Sequence, residues 1–260
     1  MARYSDQAIS RKAFIQMASL GAAGLLASSS GLITSNFKIK AIAFDAFAIF
    51  DPRPVFQTIH DLFPGNARQI IEAWQSKQFS YQWLRIAANK YKNFWDVTSD
   101  ALDFAFQQSK ITLRNKERDQ IMVGYETLSA WSDVACALSA MRNEGFTICF
   151  LSNMTQDLLE QGIRNSNLNG LFDFVFSTDE RQTYKPSPLA YQIAVDRLRL
   201  KKEEILFVPF AGWDMAGAKW FGFPTFWVNR SNALEEKLDV TPDGIGTHLD
   251  ELITFIRNLK

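Results

Sequence analysis

The chain has 260 residues, of which 47% are hydrophobic and 22% are charged. This length can hold one large domain or a core with a small insertion, and the composition leaves no room for a long disordered tail. Lys plus Arg (28) equals Asp plus Glu (28), so no net charge favours nucleic acid or an anionic membrane surface. The two histidines, His60 and His248, are far apart in sequence and are expected to be solvated. With only these two histidines, the sequence does not favour a zinc site or a Ser-His-Asp triad. A small molecule is the expected partner.

The first 34 residues resemble an export signal of the twin-arginine type. The basic pair Arg11-Lys12 is followed by Phe14, by an apolar run over residues 17–27 and by three serines. Lys12 stands where the second arginine is expected, and the run is shorter than the roughly 20 residues of a membrane span. We predict that residues 1–34 are a signal peptide and linker, and that the mature protein is periplasmic without membrane association. The alternative is an uncleaved amphipathic helix in a cytoplasmic protein.

The first predicted strand covers residues 39–44, a compact apolar stretch without helical periodicity. Residues 55–123 then place apolar side chains at helical spacing among many Gln and Lys residues. Pro52 and Pro54 before this helical block, and Gly124 after it, predict hinges or linkers at its borders. We therefore expect residues 53–123 to form a helical cap inserted after the first strand.

From residue 125 onward helices and strands alternate, which predicts βαβ units and a parallel sheet. The predicted class is α/β, with a doubly wound core made of residues 35–52 and 124–260. Cys136 and Cys149 fall on a predicted helix and a predicted strand, and we predict that both are buried, unpaired thiols. The expected helices are residues 132–143, 155–165, 189–198 and 214–220, and the expected strands are residues 146–151, 174–177, 205–209 and 225–228.

Polar residues follow the predicted strands at the edge where a doubly wound sheet binds its ligand. Lys185 would keep Asp45 ionised, and Asp214 would orient Lys185 or a water molecule. Ser152 and Asn153 supply donors for a carboxylate or an oxyanion. Each residue also has an ordinary structural explanation, which for Asp214 is the capping of a helix N-terminus. The order of the four groups along the chain favours catalytic roles for Asp45, Ser152, Lys185 and Asp214.

These motifs resemble those of the haloacid dehalogenase superfamily and, within it, the L-2-haloacid dehalogenases of type II. The resemblance covers about residues 38–255 and implies a Rossmann-like core with a helical cap. The matching segments are Asp45-Ala46-Phe47, Leu151-Ser152-Asn153, Tyr184-Lys185-Pro186 with Tyr191, residues 213–219, 221–224 and 228–230, and in the insertion Lys77-Gln78, Tyr81, Trp83-Leu84-Arg85 and Asn93-Phe94.

The resemblance implies hydrolysis of a carbon–halogen bond. Asp45 would attack C2 of a short 2-haloalkanoic acid, and water would hydrolyse the resulting ester without any cofactor. Relatives of this type often pair, which suggests a homodimer. Contacts with the substrate are expected from Phe47, Phe79, Phe94, Asn153, Tyr191 and Trp213.

The same resemblance argues against a metal site. Metal-dependent phosphatases of the superfamily need a second Asp two residues after the nucleophile and further acidic residues near Asp214. Phe47 and Phe210 occupy those places in this chain. Because Mg²⁺ prefers oxygen ligands, we expect no metal.

Four polar residues of the type II dehalogenases have no counterpart here. Where the family has a Thr, this chain has the stretch Ala48-Ile49, and where it has the cap arginine, this chain has Gln75. Pro209 and Ala211 stand at the positions of the family's Ser and Asn. Loss of one donor to a transition-state charge costs about 2.7–4 kcal/mol, so several losses together could abolish the activity.

Arg53 or Arg85 could compensate for the missing arginine, although the sequence does not place either one in the pocket. Two hypotheses therefore stay open. The first is a dehalogenase with an altered substrate range. The second is a catalytically altered or inactive member of the fold, which binds a small organic acid or a partner protein through an apolar crevice.

Overall fold

The computed structural model describes residues 38–259. The predicted signal peptide at residues 1–34 lies outside this range. Four parallel strands form the central sheet in the order β3-β2-β1-β4, with helices packed against it. They are β1 (Ala41–Phe44), β2 (Thr147–Ser152), β3 (Phe174–Ser177) and β4 (Ile205–Val208). The predicted doubly wound α/β core with a parallel sheet is thus confirmed.

The position of β1 in the sheet decides where the candidate site lies. This strand runs between β2 and β4, and Phe44 at its end is paired with both Phe150 and Val208. All four residues of the strand are buried, as expected of a parallel strand covered on both faces. Asp45 therefore leaves the sheet beside the carboxyl ends of its two neighbours.

A smaller pair of parallel strands extends the sheet. Strand β5 (Phe226–Val228) pairs with β6 (Gly244–Gly246), and a single bridge between Phe207 and Thr225 links this pair to β4. The sequence did not predict β6, because a strand with two glycines lacks the usual β-branched or aromatic residues. Its glycines are explained by packing, since a Cβ atom on Gly244 would lie 2.6 Å from the ring of Phe226.

Helices fill both the core and the predicted cap, and α3 packs along α4 in the cap. Across residues 38–259 no helix is both long enough and apolar enough to cross a membrane. The helices are α1 (Ala46–Ile49), α2 (Arg53–Leu62), α3 (Ala67–Ala87), α4 (Phe94–Gln108), α5 (Asn115–Glu126), α6 (Val134–Asn143), α7 (Gln156–Asn165), α8 (Pro188–Leu198), α9 (Gly212–Phe221) and α10 (Leu249–Asn258).

The hinge predicted at Gly124 is wrong. This glycine lies inside α5, and a Cβ atom there would come within 3.1 Å of Val55 Cγ2, so its small size serves close packing of α5 against α2. Pro54 lies in the first turn of α2, where its missing N–H removes no helical hydrogen bond. Helix α5 thus continues across the predicted border at residue 123, and the cap limits of 53–123 remain a prediction.

The two thiols differ in environment. Cys149 is buried and free, as predicted, but Cys136 is exposed, so its predicted burial is wrong. The reason is the helical period, because Cys136 lies on the face of α6 that points away from the core. The buried face of α6 carries Val134, Ala137, Leu138 and Met141.

We expect Gly217→Ala to destabilise the protein. A Cβ atom at Gly217 in α9 would lie 2.5 Å from the hydroxyl of Tyr191 and 2.6 Å from Pro186 Cβ. Overpacking of this kind lowers the free energy of unfolding by about 1–3 kcal/mol, even though Ala is the better helix former. Urea denaturation measures the change. Gly65→Ala is the control, because nothing lies within 4 Å of that position, and an equal loss in both variants would contradict the packing argument.

Candidate active site

Asp45 caps the short helix α1 directly after strand β1. Its backbone N–H donates to the carbonyl oxygen of Val208, and its Oδ2 accepts the N–H of Phe47 at 3.0 Å. The carboxylate keeps 14% of its surface exposed. One of its oxygens is therefore held by the backbone, while the group remains accessible to a ligand.

Lys185 joins Asp45 to a second carboxylate. Its Nζ lies 2.8 Å from Asp45 Oδ1 and 2.6 Å from Asp214 Oδ2, and its side chain is 1% exposed. Burial alone would lower the pKa of this ammonium, but Asp214 and Asp45 outweigh that effect and raise it. Lys185 is therefore a permanent cation in contact with both carboxylates, and the predicted convergence of the three residues is confirmed.

Asp214 is a buried carboxylate in the first turn of α9. Burial raises its pKa to about 6, and the nearby Asp45 acts in the same direction, while Lys185 and Tyr191 oppose the shift. Its alternative role as a helix cap is wrong, because α9 begins at Gly212 and Ala211 holds the N-cap position. Its oxygens instead face Lys185 and Tyr191.

Tyr191 does not contact the cavity, so its predicted role in substrate binding is wrong. It is fully buried in α8, and its hydroxyl donates to Asp214 Oδ1 at 2.7 Å. Aromatic packing explains the direction of the side chain, because its ring lies among those of Phe207, Phe221 and Phe223. Tyr191 thus orients Asp214 from behind the site.

Ser152 ends strand β2, Asn153 follows it, and both line the cavity beside Asp45. Ser152 Oγ accepts the N–H of Met154 at 3.2 Å. Asn153 Oδ1 accepts the backbone N–H of Lys185 at 2.9 Å, which fixes the segment that carries the ammonium. Asn153 is therefore a positioning residue for Lys185 as well as part of the cavity wall.

Helix α3 of the predicted cap holds the Lys185 segment from the other side. Trp83 Nε1 donates to the carbonyl oxygen of Lys185 at 3.2 Å. Gln82 Oε1 accepts Asn153 Nδ2 at 3.1 Å, so a second connection runs from α3 through Asn153 to Lys185. Both polar groups of the Lys185 peptide are thereby tied to the same helix.

Arg230, on the segment after β5, holds the turn that carries Asp45. It donates through Nη2 to the carbonyl oxygen of Ala48 at 3.0 Å, and it pairs with Asp133 at 3.1 Å. Its guanidinium also lies 4.8 Å from the ring of Trp131. Arg230 belonged to a motif in the sequence, but only the fold shows that it supports α1.

A cavity of about 150 Å³ opens beside Asp45. Four residues predicted to contact substrate, Phe47, Phe79, Phe94 and Trp213, do line it. Phe47 also meets Phe210 edge to face at 6.1 Å, so two aromatic rings occupy the places of the phosphatase carboxylates. The remaining lining residues are Asp45, Pro52, Phe56, Gln75, Gln78, Gln82, Tyr125, Ser152, Asn153, Met154, Phe210, Ala211 and Asp214.

Three glutamines of α3 line the cavity, and two of them, Gln78 and Gln82, were not predicted from the sequence as site residues. Both are buried, and they lie four and eight residues after the buried Trp74, on the same helix face. A buried polar residue at core spacing is the feature that could have identified them. Gln75, at the place of the family's arginine, also lines the cavity.

Neither arginine proposed as a replacement lines the cavity. Arg53 pairs with Asp51 and is 72% exposed, and Arg85 pairs with Asp100. The predicted compensation by Arg53 or Arg85 is therefore wrong in this structure. Over the described range 38–259, no group of three or more His, Cys, Asp and Glu side chains is arranged to hold a metal ion.

Comparison with known proteins identifies the family of this chain. Residues 21–222 match the haloacid dehalogenase-like hydrolase family. The chain belongs to that family. It is 35% identical to an (S)-2-haloacid dehalogenase of Pseudomonas sp. (strain YL), over 83% of this chain and 93% of the relative.

Solved structures place this haloacid dehalogenase-like hydrolase among enzymes of known fold. A crystal structure of an L-2-haloacid dehalogenase is 36% identical and superposes with a TM-score of 0.82, over 85% of this chain and 99% of the other. The L-2-haloacid dehalogenase of Xanthobacter autotrophicus with chloropropionic acid covalently bound is 28% identical, with a TM-score of 0.78, over 85% and 100% of the two chains. The similarity extends over the central sheet and the helical insertion of this hydrolase.

The raised pKa of Asp214 predicts a pH dependence of stability. In the folded protein this carboxyl keeps its proton up to about pH 6, whereas an ordinary Asp releases it near pH 3.8. The folded state therefore binds more protons in that interval, and the contribution of Asp214 to stability falls as the pH rises through it.

The amide in the Asp214→Asn variant does not titrate, so we expect this variant not to show the decrease in stability with rising pH. Relative to the wild type, the unfolding free energy of the variant should rise by up to about 3 kcal/mol from pH 4 to pH 6, at about 1.4 kcal/mol per pKa unit. Urea denaturation at several pH values measures it. A difference between the two proteins that stays constant with pH would contradict the raised pKa.

Proposed function

We propose that this protein hydrolyses short 2-haloalkanoic acids to 2-hydroxy acids through an ester on Asp45, without a metal. The observation that carries the proposal is the contact of Lys185 Nζ with both Asp45 and Asp214 at the edge of a cavity. The similarity to a relative named (S)-2-haloacid dehalogenase, and to one with chloropropionic acid covalently bound, supports it.

In the first step a carboxylate oxygen of Asp45 attacks C2 of the substrate. The new C–O bond forms as the carbon–halogen bond breaks, and its electron pair leaves with the halide. The Lys185 ammonium lies 2.8 Å from Asp45 Oδ1 and stabilises the negative charge of the carboxylate. The N–H of Phe47 fixes the rotation of the carboxylate, so the attacking oxygen is oriented before substrate arrives.

In the second step water attacks the carbonyl carbon of the ester. When Oδ1 attacks, Oδ2 becomes the carbonyl oxygen, and the negative charge that develops on it is stabilised by the Phe47 N–H that already donates to it. The bond between Cγ of Asp45 and the bridging ester oxygen then breaks. That oxygen, which came from Asp45, leaves as the hydroxyl of the 2-hydroxy acid, and the restored carboxylate contains one oxygen from water. Each turnover consumes one water and releases one halide and one proton.

The donor set beside Asp45 fits this chemistry better than metal-dependent phosphoryl transfer. A Mg²⁺ ion needs several oxygen ligands, and the carboxylates that would supply them are replaced by Phe47 and Phe210. The nearby carboxylate, Asp214, is bonded to Lys185 and Tyr191. Both oxygens of this carboxylate are thus already occupied by donors.

We also propose that the cavity is a divergent version of the family's. Gln75 and Ala211 line it at the places of a family arginine and asparagine, so neutral or apolar groups replace two polar contacts. This is the observation that favours the second hypothesis, a catalytically altered protein that binds a small acid. Halide release decides between the two hypotheses.

We expect purified protein to release halide from 2-chloropropionate or a related haloacid, and Asp45→Asn to lose this activity by a thousandfold or more, on the order seen when a nucleophile is removed. Halide release is followed directly. Asp61→Asn, which makes the same change on the exposed surface of α2, is the control. No release from the wild type across a panel of haloacids would exclude the dehalogenase and favour the acid-binding alternative.

We propose that residues 1–34 direct export to the periplasm through the twin-arginine route, based on Arg11-Lys12, Phe14 and the apolar run over residues 17–27. Mass spectrometry of the purified protein should find a mature N-terminus between the end of the apolar run and residue 34, and cell fractionation should place the protein in the periplasm. A cytoplasmic protein that begins at Met1 would contradict export and support an uncleaved helix.

We further propose that the protein is a homodimer, as its resemblance to type II dehalogenases suggests. Exposed apolar side chains on the cap and core, including Leu84, Leu189 and Trp220, support an interface between copies. Light scattering coupled to size-exclusion chromatography tests the assembly. A monomer at all accessible concentrations would refute it.

A further inference from the structure

Gln82 is a buried amide with an unused donor. This residue of α3 is fully buried, and it lines the cavity beside Asp45. Its Nε2 has no hydrogen-bond partner within the part of the chain that the structure describes. A buried polar group is usually satisfied, and leaving one unpaired carries a penalty, so this donor requires an explanation.

The orientation of the Gln82 amide follows from its neighbours. A backbone N–H can only donate, so the Asn153 atom that faces the N–H of Lys185 must be the oxygen, Oδ1. The other end of Asn153, Nδ2, is then a donor, and the Gln82 atom bonded to it must be Oε1. Nε2 is consequently the end of Gln82 that is left without a partner.

The surroundings of Gln82 indicate what this donor would bind. It is bonded to Asn153, and Ser152 lies next to Asn153 in the chain, so three polar side chains line one part of the wall. No Lys or Arg belongs to the lining as described, and Lys185 is already bonded to Asp45 and Asp214. An anionic group of a ligand must therefore be met by neutral donors.

We propose that Gln82 Nε2 donates a hydrogen bond to the carboxylate of the substrate and so determines the preference of the cavity for an acid. The inference rests on the proposed function, which supplies a substrate with a carboxylate. Hydrogen bonds from a neutral donor to an ionised acceptor are stronger than those between neutral groups. The bound carboxylate would satisfy the donor of Gln82 that no protein group satisfies within the described residues.

The same side chain connects recognition to the catalytic cation. Gln82 Oε1 accepts from Asn153, whose other end holds the backbone of Lys185. A substrate carboxylate bound to Nε2 would therefore contact the helix and the side chain that fix the Lys185 segment. If Gln82 acted only by holding Asn153 and Lys185, its loss would reduce the affinity for all ligands equally. If it contacts the carboxylate directly, its loss would reduce the affinity for acids more than for neutral analogues.

The test uses ligands that undergo no turnover, so it does not depend on dehalogenation. Isothermal titration calorimetry compares propionate with propionamide, a neutral analogue of the same shape, on the wild type and on Gln82→Met. We expect the wild type to bind propionate more tightly. In Gln82→Met, the preference for propionate over propionamide should fall about tenfold or more, the effect of losing one hydrogen bond to a charged group.

Two further variants complete the test. Gln192→Met makes the same chemical change on the exposed surface of α8, where Gln192 bonds Asp196, and it should keep the wild-type preference. Gln82→Asn retains an amide on a side chain shorter by one methylene, and it should lose part of the preference for propionate over propionamide. This variant tests the proposal if Gln82→Met does not fold.

An equal loss of affinity for propionate and propionamide would overturn the proposal and assign Gln82 to positioning of Asn153. A wild type that binds no propionate would overturn it as well. Neither result depends on whether halide is released from 2-chloropropionate, so a failure of this inference is distinguishable from a failure of the proposed function.

Discussion

The site depends on one ammonium buried between two carboxylates. Removing Lys185 from water is unfavourable, and its contacts with Asp45 and Asp214 offset the cost of burying the charge. The dependence is mutual, because Lys185 lowers the pKa of Asp214 and so opposes the effect of burial on that carboxyl. Removing one partner of a buried ion pair typically lowers the free energy of unfolding by about 3–5 kcal/mol. The contacts of Lys185 with Asp45 and Asp214 therefore contribute both to the site and to the stability of the local fold.

The surrounding structure positions that ammonium from three directions. Tyr191 orients Asp214 from the core, and Asn153 and Trp83 hold the two polar groups of the Lys185 peptide. Trp83 belongs to helix α3 of the predicted cap, so a helix that lines the cavity also supports Lys185. A change in the packing of α3 would therefore act on Lys185 as well as on the cavity wall.

The sequence predicted the parts that follow from periodicity and from the ends of strands. Asp45 and Asp214 converge because β1 and β4 are neighbours, and parallel strands end at the same edge. The sequence could not predict the direction of Tyr191, which depends on the aromatic rings packed around it. The sequence also could not identify the unpaired donor of Gln82, because the hydrogen-bond partners of an atom are known only from the three-dimensional structure.

Isotope transfer in a single turnover tests the central claim, that Asp45 forms an ester with the substrate. Enzyme in excess would be mixed with 2-chloropropionate in water enriched in ¹⁸O, and both the peptide containing Asp45 and the hydroxy acid would be analysed by mass spectrometry. The account predicts that the label enters Asp45 and that the first product carries an unlabelled oxygen from the protein. Label found only in the product would show that water attacks the substrate directly and would contradict the nucleophilic role of Asp45.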